Sequence, residues 1–131
     1  MSEKKRVLLI EDDESVLKAT KRLLQALDCE VVTATNFIDG RGRMNEGTYA
    51  LIISDNQMPI GSESRPYQTA GIELLAHAAL DAKHKGTPLV LYTGASNAQT
   101  MDALKHIGAH YMHKPSPDFA KVIGKLLEQK S

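Results

Sequence analysis

Five short segments of this chain are rich in apolar residues, and longer stretches with helical spacing separate them. The segments are RVLLI (6–10), CEVVTA (29–34), ALIIS (50–54), PLVLYT (88–93) and AHYMH (109–113). Such an alternation predicts βα units whose strands lie parallel in one sheet. The runs at 6–10, 50–54 and 88–93 are almost continuously apolar, as strands become when helices cover both faces of a parallel sheet. CEVVTA carries more polar residues and suits an edge position. Between the strands, Val16, Leu17, Ala19, Leu23, Leu24 and Leu27 form one buried stripe, and Ile72, Leu74, Leu75, Ala78, Ala79 and Ala82 form another, both at i, i+3, i+4 spacing. A weaker helix is expected near 36–45, where DGRGRMNEG holds three glycines, with further helices over 97–107 and about 117–129. Joined by right-handed crossovers, these units give an α/β fold with a doubly wound, five-stranded parallel sheet.

Composition narrows what such a fold does here. A chain of 131 residues suits one domain over 1–131, large enough for one core, and no output domain is visible. No apolar run approaches the roughly 18 residues of a membrane span, so membrane insertion is not expected. MSEKKR is followed only by VLLI before Glu11-Asp12-Asp13, which is too short and too acidic for a signal peptide; a cytoplasmic protein is expected. Cys29 is the only cysteine, which excludes a disulfide framework within the chain. Sixteen basic residues balance sixteen acidic ones, so there is no electrostatic footprint for direct nucleic-acid binding.

Ligands of doubly wound sheets gather at the carboxyl ends of the central strands. The first strand ends there on Glu11-Asp12-Asp13, the third on Asp55, the fourth on Thr93 and the fifth on Lys114. Each has an ordinary reading by itself. Asp13 or Ser15 suits an N-cap of the first helix, Thr93 before Gly94 suits a turn, and Lys114 before Pro115 suits a solvated surface. Asp55 is harder to explain, because its next helix begins only near Gly71. If the strand order is 2-1-3-4-5, one of the two common orders of such sheets, strands 1, 3 and 4 are neighbours about 4.8 Å apart. Glu11, Asp12 and Asp55 then crowd together, and crowded carboxylates repel unless a cation neutralises them. Oxygen ligands without Cys or His suit Mg²⁺, which also binds phosphate oxygens. Phosphoryl transfer needs charge neutralisation and positioning above all. Lys114 offers a cation, Thr93 a hydroxyl donor, and Asp55 a nucleophile able to form an acyl phosphate.

These residues carry a resemblance. VLLIEDDESV, LIISDNQMP, LVLYTGAS and GAHYMHKPSP, in that order and on those strand ends, resemble the receiver domains of the response-regulator family in two-component signalling, the CheY-like branch of the flavodoxin-like folds. The resemblance implies the strand order 2-1-3-4-5, Asp55 as phosphoacceptor, and Mg²⁺ bound by Asp12, Asp55 and the backbone carbonyl of Gln57, with Glu11 reaching the metal through water. It implies that Lys114 contacts the phosphoryl oxygens and that Thr93 moves to bond one of them, while Tyr111 turns inward as the second part of the switch. It also implies a cis Lys114–Pro115 bond, a histidine kinase or phosphotransfer protein as donor, and a downstream protein partner. The signal would leave through the face of the fourth helix, fifth strand and fifth helix, where a phosphorylation-dependent homodimer is possible.

Two departures from the family pattern stand out. Sixteen positions separate Asp55 from Gly71, about twice the usual spacing, so IGSESRPYQTA contains an insertion of loop character. It is read as a lid over the pocket, with Arg65 approaching a phosphoryl oxygen, or as a solvated loop. Gln57 occupies a position that in this family influences acyl-phosphate hydrolysis, where its amide would obstruct or orient the attacking water. His77, His84, His106, His110 and His113 form no metal set and suit solvated or half-packed roles. Two other functions fit the residues less well. A Mg²⁺-dependent phosphatase with the same nucleophile lacks a carboxylate two residues after Asp55, because Asn56-Gln57 follows it. An inert receiver-like interaction module is disfavoured because every site position holds a competent residue.

Overall fold

Alternation along the strands divides the interior into two cores. The computed structural model describes residues 4–61, 66–94 and 97–129. Its main sheet consists of β1 (Lys5–Ile10), β2 (Cys29–Ala34), β3 (Leu51–Ser54), β4 (Leu89–Thr93) and β5 (His110–His113), and its helices are α1 (Glu14–Ala26), α2 (Phe37–Glu46), α3 (Ala70–Leu80), α4 (Ala98–Ile107) and α5 (Phe119–Gln129). All pairings in this sheet are parallel, as the alternating pattern predicts, and the spatial order is β2-β1-β3-β4-β5, as the resemblance implies. Leu8, Ile10, Ile52 and Leu91 point to one face and pack with Met44, Leu74, Leu75 and Leu104 of α2, α3 and α4. Val7, Leu9, Ile53 and Val90 point to the other face and pack with Leu24 of α1 and Phe119, Ile123 and Leu127 of α5. Each fully buried Leu or Ile contributes about 1.5–3 kcal/mol through removal of apolar surface from water. That explains why β3 and β4 contain only buried positions, whereas edge strands β2 and β5 do not.

The helices begin where short polar side chains satisfy free backbone donors. Asp13 Oδ1 accepts from the amides of Ser15 and Val16 at 3.0 and 3.1 Å, so the ordinary cap reading holds for Asp13. Asn36 and Asn97 do the same for α2 and α4, at 2.9 and 2.8 Å from Asp39 and Thr100. This capping helps α2 form despite its glycines. One of them packs tightly: a Cβ on Gly40 would lie 3.2 Å from Cδ1 of both Ile10 and Leu74, which would have to shift slightly.

Three local expectations need correction. The third helix stops at Leu80, and Ala82 belongs to a separate 3₁₀ turn, Ala82–His84; the Asp81 side chain accepts from the Lys83 amide at 2.9 Å and starts that turn. The fifth helix starts at Phe119, two positions after the expected 117. The expected loop after Asp55 contains an antiparallel ribbon that pairs Met58 with Tyr67 and Pro59 with Pro66. Two-residue strands carrying prolines leave no alternation to read. The ribbon is braced on the N-terminal ends of α2 and α3. Ile38 donates its amide to Ile60 O at 2.8 Å, the rings of Phe37 and Tyr67 meet edge-on at 6.3 Å, and the hydroxyls of Tyr67 and Thr69 both donate to Glu73 Oε2.

Candidate functional site

The site is built by extending the sheet one residue past its strands. Ile10 pairs with Ser54, so the next residues, Glu11 and Asp55, emerge side by side. Backbone bonds then hold the emerging chain: Glu11 N–H donates to Ala34 O at 3.0 Å, Asp55 N–H to Ile10 O at 2.9 Å, and Lys114 N–H to Thr93 O at 3.0 Å. The chemistry-bearing residues therefore sit on the rigid end of the ladder. They line one cleft of about 440 Å³, which includes Glu11, Asp12, Asp55, Gln57, Thr93 and Lys114. Every residue read from the sequence as catalytic or metal-binding is in that set. Tyr111 lies beneath it, half-buried against the α2–α4 core, with its hydroxyl 3.4 Å from Thr93 O and 3.1 Å from His113 Nδ1. The Lys114–Pro115 bond is cis, as expected.

Charge in the cleft is unbalanced. Carboxylate oxygens of Glu11, Asp12 and Asp55 lie within 4.8 Å of one another. Lys114 Nζ stands 2.6 Å from Glu11 Oε1 and 3.2 Å from Asp55 Oδ2, so among the described residues one cation faces three carboxylates. Glu11 is buried, and this burial, reinforced by the charge of Asp55, pushes its pKa up to about 7 against the opposing pull of Lys114 and of the Asp13 amide. Burial works against the Lys114 ammonium too, but its bond to Glu11 and the charges of Asp55 and Glu11 outweigh that and leave its pKa raised. Asp12 is exposed at the mouth. Three carboxylates with no Cys or His make a hard-oxygen set with uncompensated negative charge, which suits a small divalent cation.

Two residues with a direct hold on Asp55 escaped the sequence reading. Asn56 is buried and its backbone N–H donates to Asp55 Oδ1 at 2.8 Å. Its own Oδ1 accepts from Ile72 N–H at 3.2 Å, and its carbonyl accepts from Gly71 N–H at 2.9 Å. Asn56 thus ties the Asp55 loop to the start of α3. Gly71 makes the close approach possible, because a Cβ there would lie 2.0 Å from Asp55 O. A glycine opening an apolar helix was the available signal, yet its partner lies sixteen positions upstream and only the fold brings them together.

His84 departs from its expected role. It is 3% exposed, and its Nε2 lies 2.9 Å from Met44 O. Because a carbonyl can only accept, Nε2 carries the proton. Its ring stacks with that of Tyr49 at a centroid distance of 6.4 Å. Of the other four histidines, His77 is half-buried and His106, His110 and His113 are exposed.

Fold and cleft together define a phosphoacceptor class of α/β domain. The chain belongs to the response regulator receiver domain family, whose profile matches residues 7–126; receiver domains are switches of two-component signalling that take phosphoryl groups from histidine kinases. Among solved structures it is similar to the chemotaxis response regulator CheY4 of Vibrio cholerae, with 23% identity and a TM-score of 0.79 over 95% of this chain and 99% of that one. A CheY-like receiver domain protein from Methanospirillum hungatei gives 26% identity and a TM-score of 0.76, covering 97% of each chain. The receiver domain of a sensor histidine kinase from Pseudomonas aeruginosa, solved with a magnesium ion in its active-site cleft, gives 16% identity and a TM-score of 0.77 over 98% of each. A curated relative, the autoinducer 2 sensor kinase/phosphatase LuxQ of Vibrio harveyi, is 30% identical over 111 residues, which are 84% of this chain but only 12% of the length of LuxQ.

Proposed function

We propose that Asp55 accepts a phosphoryl group from a phosphohistidine of a histidine kinase or phosphotransfer protein, and that the acyl phosphate biases a surface read by a downstream protein in the cytoplasm. The observation that carries this reading is the environment of Asp55: one carboxylate oxygen is held by the Asn56 amide, the other faces Lys114, and Glu11 and Asp12 stand beside it. The donor set fits Mg²⁺, with Asp12, Asp55 and the Gln57 carbonyl as direct ligands and Glu11 acting through water; bound there, the ion neutralises charge on the phosphoryl oxygens. An Asp55 oxygen attacks phosphorus, the donor's N–P bond breaks, and the freed imidazole leaves with the electron pair and takes up a proton. Lys114 supplies positive charge to the phosphoryl oxygens, and the Thr93 hydroxyl donates to one of them. Because the Tyr111 hydroxyl contacts the Thr93 carbonyl, displacement of Thr93 is felt at β5, and the output surface is the face of α4, β5 and α5. The magnesium of the Pseudomonas domain, in a cleft of the same fold, supports the metal assignment.

The chain acts on this reading as a switch that catalyses only its own phosphorylation and dephosphorylation. Incubation with radiolabelled acetyl phosphate and Mg²⁺ should add one phosphoryl group, abolished by Asp55→Asn and by chelator. Label on a histidine or serine, or turnover of a small phosphoester, would overturn the assignment. If Tyr111→Ala left phosphorylation-dependent partner binding or dimerisation intact, the proposed output route would be wrong.

A further inference from the structure

We propose that Gln68, in the inserted segment, is a positioning residue for hydrolysis of the Asp55 acyl phosphate, acting through the side-chain amide of Gln57. The inference rests on Asp55 being the phosphoacceptor. Among the described residues of the insertion, none lines the cleft, and Glu63 and Arg65, on which a lid would depend, lie outside the described residues. The insertion reaches the site in another way. Gln57 lines the cleft two residues beyond Asp55, and its Nε2 donates to Gln68 Oε1 at 3.3 Å. This contact continues the ribbon, whose rungs pair Met58 with Tyr67 and Pro59 with Pro66; antiparallel register makes 57 and 68 the next pair outward. The ribbon is in turn fixed by the Ile38–Ile60 bond, by the Phe37–Tyr67 contact and by Glu73. Gln68 is thus the end of a braced element.

In hydrolysis a water oxygen bonds to phosphorus, the bond from phosphorus to the Asp55 oxygen breaks, and Asp55 leaves as carboxylate while the water's proton passes to phosphate or solvent. The water has to enter in line, opposite the departing oxygen, and Gln57 is an exposed residue of the cleft lining from which a side chain can meet it. A carboxamide carries a donor and an acceptor on opposite corners of one plane. With Nε2 committed to Gln68, Oε1 is the corner left to accept from that water. An untethered glutamine spreads over several rotamers and meets the water less often in the useful one.

The test uses the full chain labelled with radiolabelled acetyl phosphate and Mg²⁺, freed of donor and followed for phosphate release. Gln68→Leu should lengthen the acyl-phosphate lifetime by about two- to tenfold, the range one hydrogen bond supports. Gln68→Glu keeps an acceptor for Nε2 and should restore the original lifetime. Gln57→Leu should lengthen it at least as much, with no further increase in the double variant, as expected for residues acting as one unit. An unchanged or shorter lifetime in Gln68→Leu, no rescue by Gln68→Glu, or additive effects in the double variant would overturn the inference. Absence of label on Asp55 in the unsubstituted chain would instead overturn the phosphoacceptor reading beneath it.

Discussion

The two ends of the sheet both bury polar groups, but they treat them in opposite ways. At the carboxyl end, Glu11, Asp12 and Asp55 share one nearby cation, Lys114, and the surplus charge keeps the site open to a ligand. At the amino end, His84 sits between the Met44 carbonyl and the Tyr49 ring, and joins the turn after α3 to the end of α2. One end stores unsatisfied electrostatics for chemistry, while the other uses a polar group as an internal clasp. Burial alone does not mark function: His84 Nδ1 is buried with no hydrogen-bond partner among the described residues, whereas the carboxyl end gathers like charges that a ligand can neutralise.

The largest expected effect comes from breaking the carboxyl end at its tightest contact. Gly71→Ala places a methyl group where Asp55 O stands, and backbone on both sides leaves little room to yield. A loss of at least about 3 kcal/mol in urea unfolding is expected, together with loss of label from acetyl phosphate. Stability and labelling equal to the original would show that α3 moves freely away from the Asp55 loop.

Breaking the amino end should cost stability without touching the chemistry. His84→Ala removes a buried ring and its bond to Met44 O, and should destabilise by about 2–3 kcal/mol while folded protein still labels to the same extent. Equal loss of label per folded molecule would mean that the two ends are coupled and that the contrast drawn above is wrong.

A smaller effect concerns proton linkage at Glu11. Its folded, metal-free pKa is raised from the ordinary 4.5 to about 7, so the folded state holds a proton that the unfolded chain has released. The associated stability is present below pH 4.5 and is lost as pH rises through about 7. A cation that needs the ionised carboxylate displaces that proton. Mg²⁺ affinity should therefore fall by up to about tenfold per pH unit below 7 and level off above it, with proton release visible by calorimetry in buffers of different ionisation enthalpy. Glu11→Gln should flatten this dependence; an unchanged pH profile would place the titration elsewhere.

The smallest expected change tests the cap of α4, four residues beyond Thr93 at the carboxyl end. Asn97→Ala removes the acceptor for the Thr100 amide and should lower stability by about 1 kcal/mol. Because α4 borders the proposed output face, a larger effect on partner binding than on stability would locate that face at the start of the helix.

The strand segments and the two apolar helices were legible from spacing, but the stripes only in part: Ala19, Leu23, Ala79 and Ala82 are exposed, while Thr20 is buried. Apolar runs bounded by polar residues place Glu11, Asp55, Thr93 and Lys114 on one edge as soon as the sheet is parallel, because every parallel strand ends on the same side. The ribbon of residues 58–67 was not legible, since its short proline-containing strands carry no period. Nor was His84, whose surroundings of lysines, glycine and threonine in KHKGT look like solvated loop.

Periodicity within a few residues set which positions the strands bury and where each strand stops, but that Glu11 and Asp55 then meet also takes the strand order, which lays the first strand beside the third. Tertiary structure decided how those charges are held. The His84–Met44 bond spans forty positions, and Gly71 meets Asp55 only because α3 folds back onto the loop. Gln57 finds Gln68 only because a ribbon closes between them. Contacts of this kind arise where separate elements pack, and local spacing carries no record of which side chains will then be neighbours.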